Sequence, residues 1–153
     1  MKNFDFKIYE SMQYGADDTE WFEMMDKCHK DYLLCKSALS RKIVKWYENG
    51  WFHDAHLLKV ESRYGKDGAW EINLVLQCRD DKYYNLSFHN VLDFRIHRAE
   101  EKNRRDNYEE CLYAEFYRFD EKSKDIVMEF FTDEYTEFYI RFKKLTISGL
   151  KMR

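Results

Sequence analysis

The sequence predicts one α+β domain, in which a long N-terminal helix packs on a strongly bent antiparallel β-meander or partly open barrel of about seven strands. Three observations predict it. Apolar residues recur at spacings of three and four as far as Trp46, the apolar period falls to two after residue 51, and Asn49-Gly50 places a left-handed stop between the two regimes. No linker rich in Gly, Pro or Ser interrupts the 153 residues, so 1–153 reads as a single domain with a helical part over 1–50 and a β-rich part over 51–153.

The helix begins at Asp17-Asp18-Thr19-Glu20, where an acidic N-cap candidate is followed three positions later by a glutamate. Trp21, Met25, Cys28, Tyr32, Cys35, Leu39, Ile43 and Trp46 form one stripe, and Glu23, Lys27, Lys30, Lys36 and Arg41 fall largely elsewhere. Such a helix spans on the order of 40 Å at 1.5 Å per residue, so it either crosses a whole sheet or breaks near Ser37-Ala38. Cys28 and Cys35 lie on the stripe, where a thiol acts as a small hydrophobe.

The strands follow in order. Leu58 and Val60 alternate with Lys59 and Glu61, Gly65-Lys66-Asp67-Gly68 turns the chain, and Trp70, Ile72, Leu74 and Leu76 alternate again, which predicts a hairpin. Tyr84, Leu86 and Phe88 predict a third strand, His89-Asn90 a bend, and Phe94 and Ile96 a fourth. Glu100 to Asn107 reads as a solvated loop. Three more strands are predicted around 111–119, 126–131 and 135–142, with the tail from Leu145 to Leu150 extending the last.

Composition narrows the function classes. Aromatics make up 18% of the chain, enough to build a core despite 36% charged residues. A net charge of −3 argues against nucleic acid as a partner through a general basic field. No apolar run reaches the roughly 18 residues of a membrane span, and the N-terminus lacks a signal-peptide pattern, so a cytoplasmic protein without a membrane partner is expected. Cys28, Cys35, Cys78 and Cys111 form no C-x-x-C pair, so free thiols are expected rather than a zinc or redox site. No cofactor motif is present: no Gly-rich phosphate loop, no G-x-S-x-G elbow and no helical histidine pair at i, i+4.

Two constellations remain. The run Trp51-Phe52-His53-Asp54-Ala55-His56 clusters two imidazoles and a carboxylate, the donor types for a divalent cation or an oriented general base. A metal there needs a tight turn to bring His53, Asp54 and His56 to one side, and further ligands from His89 or His97. The structural alternative is preferred, with His53 and Asp54 satisfying the turn and Trp51 and Phe52 anchoring it in the core.

The second constellation is acidic. Residues 109–137 hold ten acids against three bases, a balance of −7, while the rest of the chain carries +4. Period-two alternation groups Tyr113, Glu115 and Tyr117 on one strand face, Glu129 with Val127 and Phe131 on the next, and Tyr135, Glu137 and Tyr139 on the last. Tyrosine offers contact area with few rotatable bonds and carboxylates steer a basic protein partner, so an exposed Tyr/Glu face suits recognition. The alternative is a solvated sheet face, or one covered by the long helix.

The opening Met1-Lys2-Asn3-Phe4 through Tyr9-Glu10-Ser11-Met12-Gln13, together with Phe52-His53-Asp54-Ala55 and the later Leu86-Ser87-Phe88-His89-Asn90-Val91, resembles a family of small uncharacterised bacterial cytosolic proteins known only as a domain of unknown function. His-Asp junctions followed by a β-meander are also similar to those of immunity-type proteins of bacterial polymorphic toxin systems. The resemblance implies a bacterial origin and neutralisation of a toxin by binding, and it assigns no catalytic residue. The sequence thus points first to a non-enzymatic protein-binding domain acting through Tyr113, Glu115, Tyr117, Glu129, Tyr135, Glu137 and Tyr139. The alternative is a small metal-dependent hydrolase or ligand-binding domain centred on His53, Asp54 and His56.

Overall fold

The computed structural model describes residues 1–15, 18–98, 109–133 and 136–151. Among them three α-helices precede an antiparallel sheet of eight strands: α1 (Phe6–Gln13), α2 (Thr19–Lys36), α3 (Arg41–Glu48), β1 (Ala55–Tyr64), β2 (Trp70–Cys78), β3 (Lys82–His89), β4 (Asp93–Arg98), β5 (Glu109–Arg118), β6 (Ile126–Thr132), β7 (Thr136–Phe142) and β8 (Lys144–Leu150). The α+β class and the change of period at Gly50 are as expected. The loop expected over Glu100 to Asn107 lies outside the described residues.

The helical part departs from expectation. Instead of one long helix, the apolar stripe is carried by α2 and α3, and α1 precedes them. The break falls at the site considered: Ser40 turns extended and its hydroxyl accepts from the Ile43 N–H at 3.3 Å, capping a new helix. An unbroken helix over residues 19–48 would measure roughly 45 Å, against roughly 23–34 Å for strands of seven to ten residues. Folding back keeps both halves of the stripe on the sheet. Cys28, Tyr32, Cys35, Leu39, Ile43 and Trp46 are all buried, and the Tyr32 and Tyr47 rings meet at 5.0 Å between the two helices.

Helix α2 starts at Thr19 with Asp18 at its N-cap position, as expected, but Asp18 adopts a helical conformation and makes no side-chain cap bond. The stop is as expected. Gly50 takes φ of +69°, its N–H reaches the Tyr47 carbonyl at 2.9 Å, and the Trp51 N–H reaches the Trp46 carbonyl at 3.4 Å, the paired bonds of a Schellman ending.

The sheet order is β4-β7-β6-β5-β1-β2-β3-β8. The eighth strand arises because the tail does not extend β7. The chain bends at Lys143 and pairs β8 with β3, at the opposite edge. Its partner bends with it: residues 83–89 pair with 150–144, and after Asn90 at φ of +52° residues 93–98 pair with 141–136. Bonds from Leu92 N to Arg141 O (2.8 Å) and Lys143 N to His89 O (3.3 Å) hold the corner. The sheet stays open, with β4 and β8 as its edges, yet it curls strongly.

The concave side holds the main core, where Tyr32, Cys35, Ile43 and Trp46 of the helices meet Leu74, Phe88, Phe116, Phe130 and Phe142 of the strands. A smaller cluster of Phe4, Met24, Cys28 and Phe131 lies on the other side, where α2 runs along β5. No described helix is long and apolar enough to cross a membrane. Because Phe116 is fully buried between α3 and the sheet, with the Tyr47 ring edge-on at 4.9 Å, Phe116→Ala should lower unfolding free energy by about 3–5 kcal/mol, measurable in urea titrations.

Candidate functional site

The Tyr/Glu face is not the open surface that alternation predicted. Glu115 is 1% exposed and Tyr117 7% exposed, Tyr113 and Glu129 are half-buried, and β6 is buried on both sides because Phe131 and Val127 are covered as fully as Phe130 and Met128. Two elements cover the face. Helix α2 packs along β5, as the alternative had it, and residues 1–5 lie across β5 and β6. The Lys2 N–H donates to Glu129 Oε2 at 2.6 Å, the Asn3 N–H to Glu115 Oε1 at 3.2 Å, and the Phe4 ring stacks on Tyr113 at 4.3 Å. Of the predicted set, Glu137 is exposed and Tyr139 is half-exposed under the Arg95 guanidinium, 3.9 Å from its ring centre. Tyr135 lies outside the described residues.

Burial has an electrostatic consequence. Desolvation pushes the Glu115 carboxyl above the ordinary carboxylate range, Glu129 adds to the push, and the N–H groups of Asn3 and Phe4 oppose it. The Cys28 thiol, which donates to Glu115 Oε2 at 3.6 Å, is raised by burial and by Glu115 to about 12.

The His53-Asp54-Ala55-His56 junction makes the tight turn it required, with Asp54 at φ of +62° and the Ala55 N–H on the Phe52 carbonyl. The turn does not gather a metal site. His53 Nδ1 lies 2.5 Å from Asp54 Oδ1, and Asp54 Oδ2 accepts from Arg79 at 2.6 Å. His56 sits on β1 opposite Gln77 and Glu110. His89 has Nδ1 on Glu71 at 2.8 Å and Nε2 on Thr146 at 3.0 Å, and His97 lies on edge strand β4. Among the described residues no three His, Cys, Asp or Glu side chains are arranged to hold an ion. The structural role expected of Phe52 is seen: it is buried edge-on to Trp46 at 5.9 Å and to Phe130 at 5.2 Å.

What the junction does border is a cavity of about 350 Å³ between α2, the end of α3 and β5. Its buried surfaces come from Cys28, Tyr32, Phe52 and Ala114, its half-buried walls from Met25, Tyr47, Leu112 and Tyr113, and its exposed rim from His29, Glu48 and His53. Sequence periodicity placed Met25, Cys28 and Tyr32 on the apolar stripe. Tyr47 and Glu48 carried no signal, because only the break at residues 37–40 brings the end of α3 back beside α2.

The polar groups around the cavity are largely committed. Tyr47 donates to the Ala114 carbonyl at 2.8 Å. Glu48 accepts from Lys36 at 2.6 Å and Tyr32 at 3.1 Å, and the Lys36 bond, followed by that of Tyr32, holds its carboxyl below the usual range. Burial raises the phenols of Tyr32, Tyr47 and Tyr113. With Cys28 protonated at neutral pH, the cavity offers hydrogen bonds and apolar surface but no thiolate nucleophile.

No protein family, no curated protein and no solved structure matches this chain. The resemblance to immunity-type proteins therefore rests on its short sequence motifs alone.

These environments lead to two expected outcomes. Folded Glu115 keeps a proton that the unfolded chain has released, so its contribution to stability falls as pH rises from the ordinary glutamate range through the raised folded value. Glu115→Gln should remove that slope, so that melting temperatures of variant and parent agree best at the acid end and separate in the variant's favour as pH rises. All four cysteines are free and buried. At pH 8 the native protein should resist a thiol-specific reagent that labels four groups per chain in denaturant.

Proposed function

We propose that this is a non-enzymatic binding protein whose recognition site is the cavity at the His53 junction, suited to a small neutral molecule with an aromatic or branched aliphatic body. The observation that carries the reading is the cavity's make-up: about 350 Å³, lined mainly by aromatic and aliphatic side chains whose hydroxyls and thiol are already hydrogen-bonded, with charged groups at its rim. Neutrality of the ligand is argued from the rim, where Lys36 already balances Glu48 and Asp54 already pairs with His53. A charged guest would have to break one of these pairs. The protonated state of Cys28 and the arrangement of the junction histidines favour binding over hydrolysis.

A second reading, recognition of a basic protein partner as the immunity-type resemblance implies, draws on a different place. Glu129, Glu137 and Tyr139 line a groove of about 390 Å³ with Arg95 and His97, beside edge strand β4.

A neutral fluorescent probe, N-phenyl-1-naphthylamine, separates the readings. It should bind the native protein saturably with one site per chain, and His53→Trp, which enlarges an exposed rim side chain into the cavity mouth, should weaken it at least about tenfold, near 1.4 kcal/mol, without lowering the melting temperature. Glu137→Lys should leave probe affinity unchanged. Non-saturable binding, or equal affinity in parent and His53→Trp, rejects the cavity as the site.

A further inference from the structure

The segment over residues 2–4 is held in the manner of a bound peptide. Two successive backbone N–H groups are taken by carboxylates, that of Lys2 by Glu129 and that of Asn3 by Glu115. Side chains are read separately. Asp31 accepts from Lys2 Nζ at 2.6 Å and from the Asn3 amide at 2.7 Å, and the Lys2 ammonium also sits 4.8 Å above the Tyr117 ring. Despite its desolvation, the bonds from Lys2 and Asn3 hold the Asp31 carboxyl below its ordinary value. Phe4 is 5% exposed in a box formed by Tyr113 at 4.3 Å, Phe131 at 4.8 Å, Tyr9 at 6.0 Å and Trp21 at 6.1 Å.

This is an expensive way to cover a sheet. Burying a carboxylate is costly unless its oxygens are satisfied, and Glu115 meets a backbone N–H group and a thiol where an apolar side chain would pack without cost, as Val127 and Phe131 do on the next strand. Carboxylates that accept from consecutive main-chain N–H groups, beside an aromatic box and an acid for a lysine, form a reader of extended peptide. Helix α1 adds Ile8 and Tyr9 to the edge of the box, both only partly buried, so the segment is held chiefly by β5, β6 and α2.

The geometry points to a peptide-recognition cleft formed by Asp31, Glu115, Glu129, Tyr113, Tyr117 and Phe131, in which residues 2–4 stand in for an extended Lys-x-aromatic segment of a partner protein that displaces them. Predicted acidity and tyrosine content on this face thus serve recognition from beneath a strap rather than from an open surface. The inference does not depend on the cavity reading, because the cleft lies on the opposite side of Tyr113 and Cys28 from the cavity.

A fluorescein-labelled peptide of the sequence Met-Lys-Asn-Phe-Asp-Phe-Lys, and a control with glutamate for the first lysine and alanine for the first phenylalanine, test it by fluorescence anisotropy. Phe4→Ala, which empties the aromatic box, should bind the first peptide saturably and at least about tenfold more tightly than the parent, whose own strap competes. The control peptide should not bind. Asp31→Ala added to Phe4→Ala should cost about tenfold, and affinity should fall with salt as the lysine pair is screened. If Phe4→Ala loses its circular dichroism, Lys2→Ala, whose side chain is half-exposed, takes its place in the same comparison. No saturable binding by a folded strap variant, equal binding of both peptides, or a concentration-dependent dimer that exchanges straps overturns the proposal.

Discussion

The paired bend at residues 90–92 and Lys143 turns one edge of the sheet toward the other, and the remaining architecture depends on the hollow this creates. Because the chain passes from β3 to β4 through one bend and from β7 to β8 through the other, the same two stretches pair on both sides of the corner, and neither can straighten without breaking ladder bonds of the other. The hollow needs a filler wider than one helix. Helices α2 and α3, folded back on each other, supply it with Tyr32, Cys35, Ile43 and Trp46. The break at Ser40 is therefore a response to the shape of the sheet, made possible by a local residue able to cap the second helix.

Placing two helices over the sheet leaves a seam. It lies where the end of α3 comes back beside the middle of α2, and Gly50 then sends the chain away at φ of +69°. The cavity occupies that seam, and the His53-Asp54 turn closes its lower end through the Asp54 N–H on the Cys111 carbonyl. On the other side of β5 the strap repeats the pattern of local satisfaction, with acids of the sheet taking main-chain N–H groups. Tyr113 and Cys28 form the wall between the two regions, lining the cavity on one side and meeting Phe4 and Glu115 on the other.

Legibility in the sequence followed the range of the interaction. The stripe from Cys28 to Trp46 was readable because burial on a helix repeats every three or four residues, and the β1–β2 hairpin because Gly65 to Gly68 and the alternation on either side act within a few residues of each other. Phe116, Phe130, Phe138 and Ile140 fall on the opposite strand faces from the Tyr/Glu sets by the same alternation, and they are buried. Glu115 and Tyr117 obeyed the alternation too, and they do lie on the opposite sheet face from Phe116. Alternation separates two faces of a strand but does not say that the second face meets water.

By itself, the sequence determined the helical class of residues 19–48 and the strand class of the segments after residue 51, the stop at Gly50, the turn at Asp54 and the separation of the strand faces, because propensity and period are local quantities, while α1 carried no signal that was read. Tertiary structure alone decided that Ser40 would divide the stripe, that Leu145 to Leu150 would cross to the far edge of the sheet, and that residues 2–4 would lie on Glu115 and Glu129. Each of those outcomes compares contacts between residues far apart in the chain, Lys2 with Glu129 or Phe88 with Leu145, and their free energy arises only once the bent sheet has brought them together.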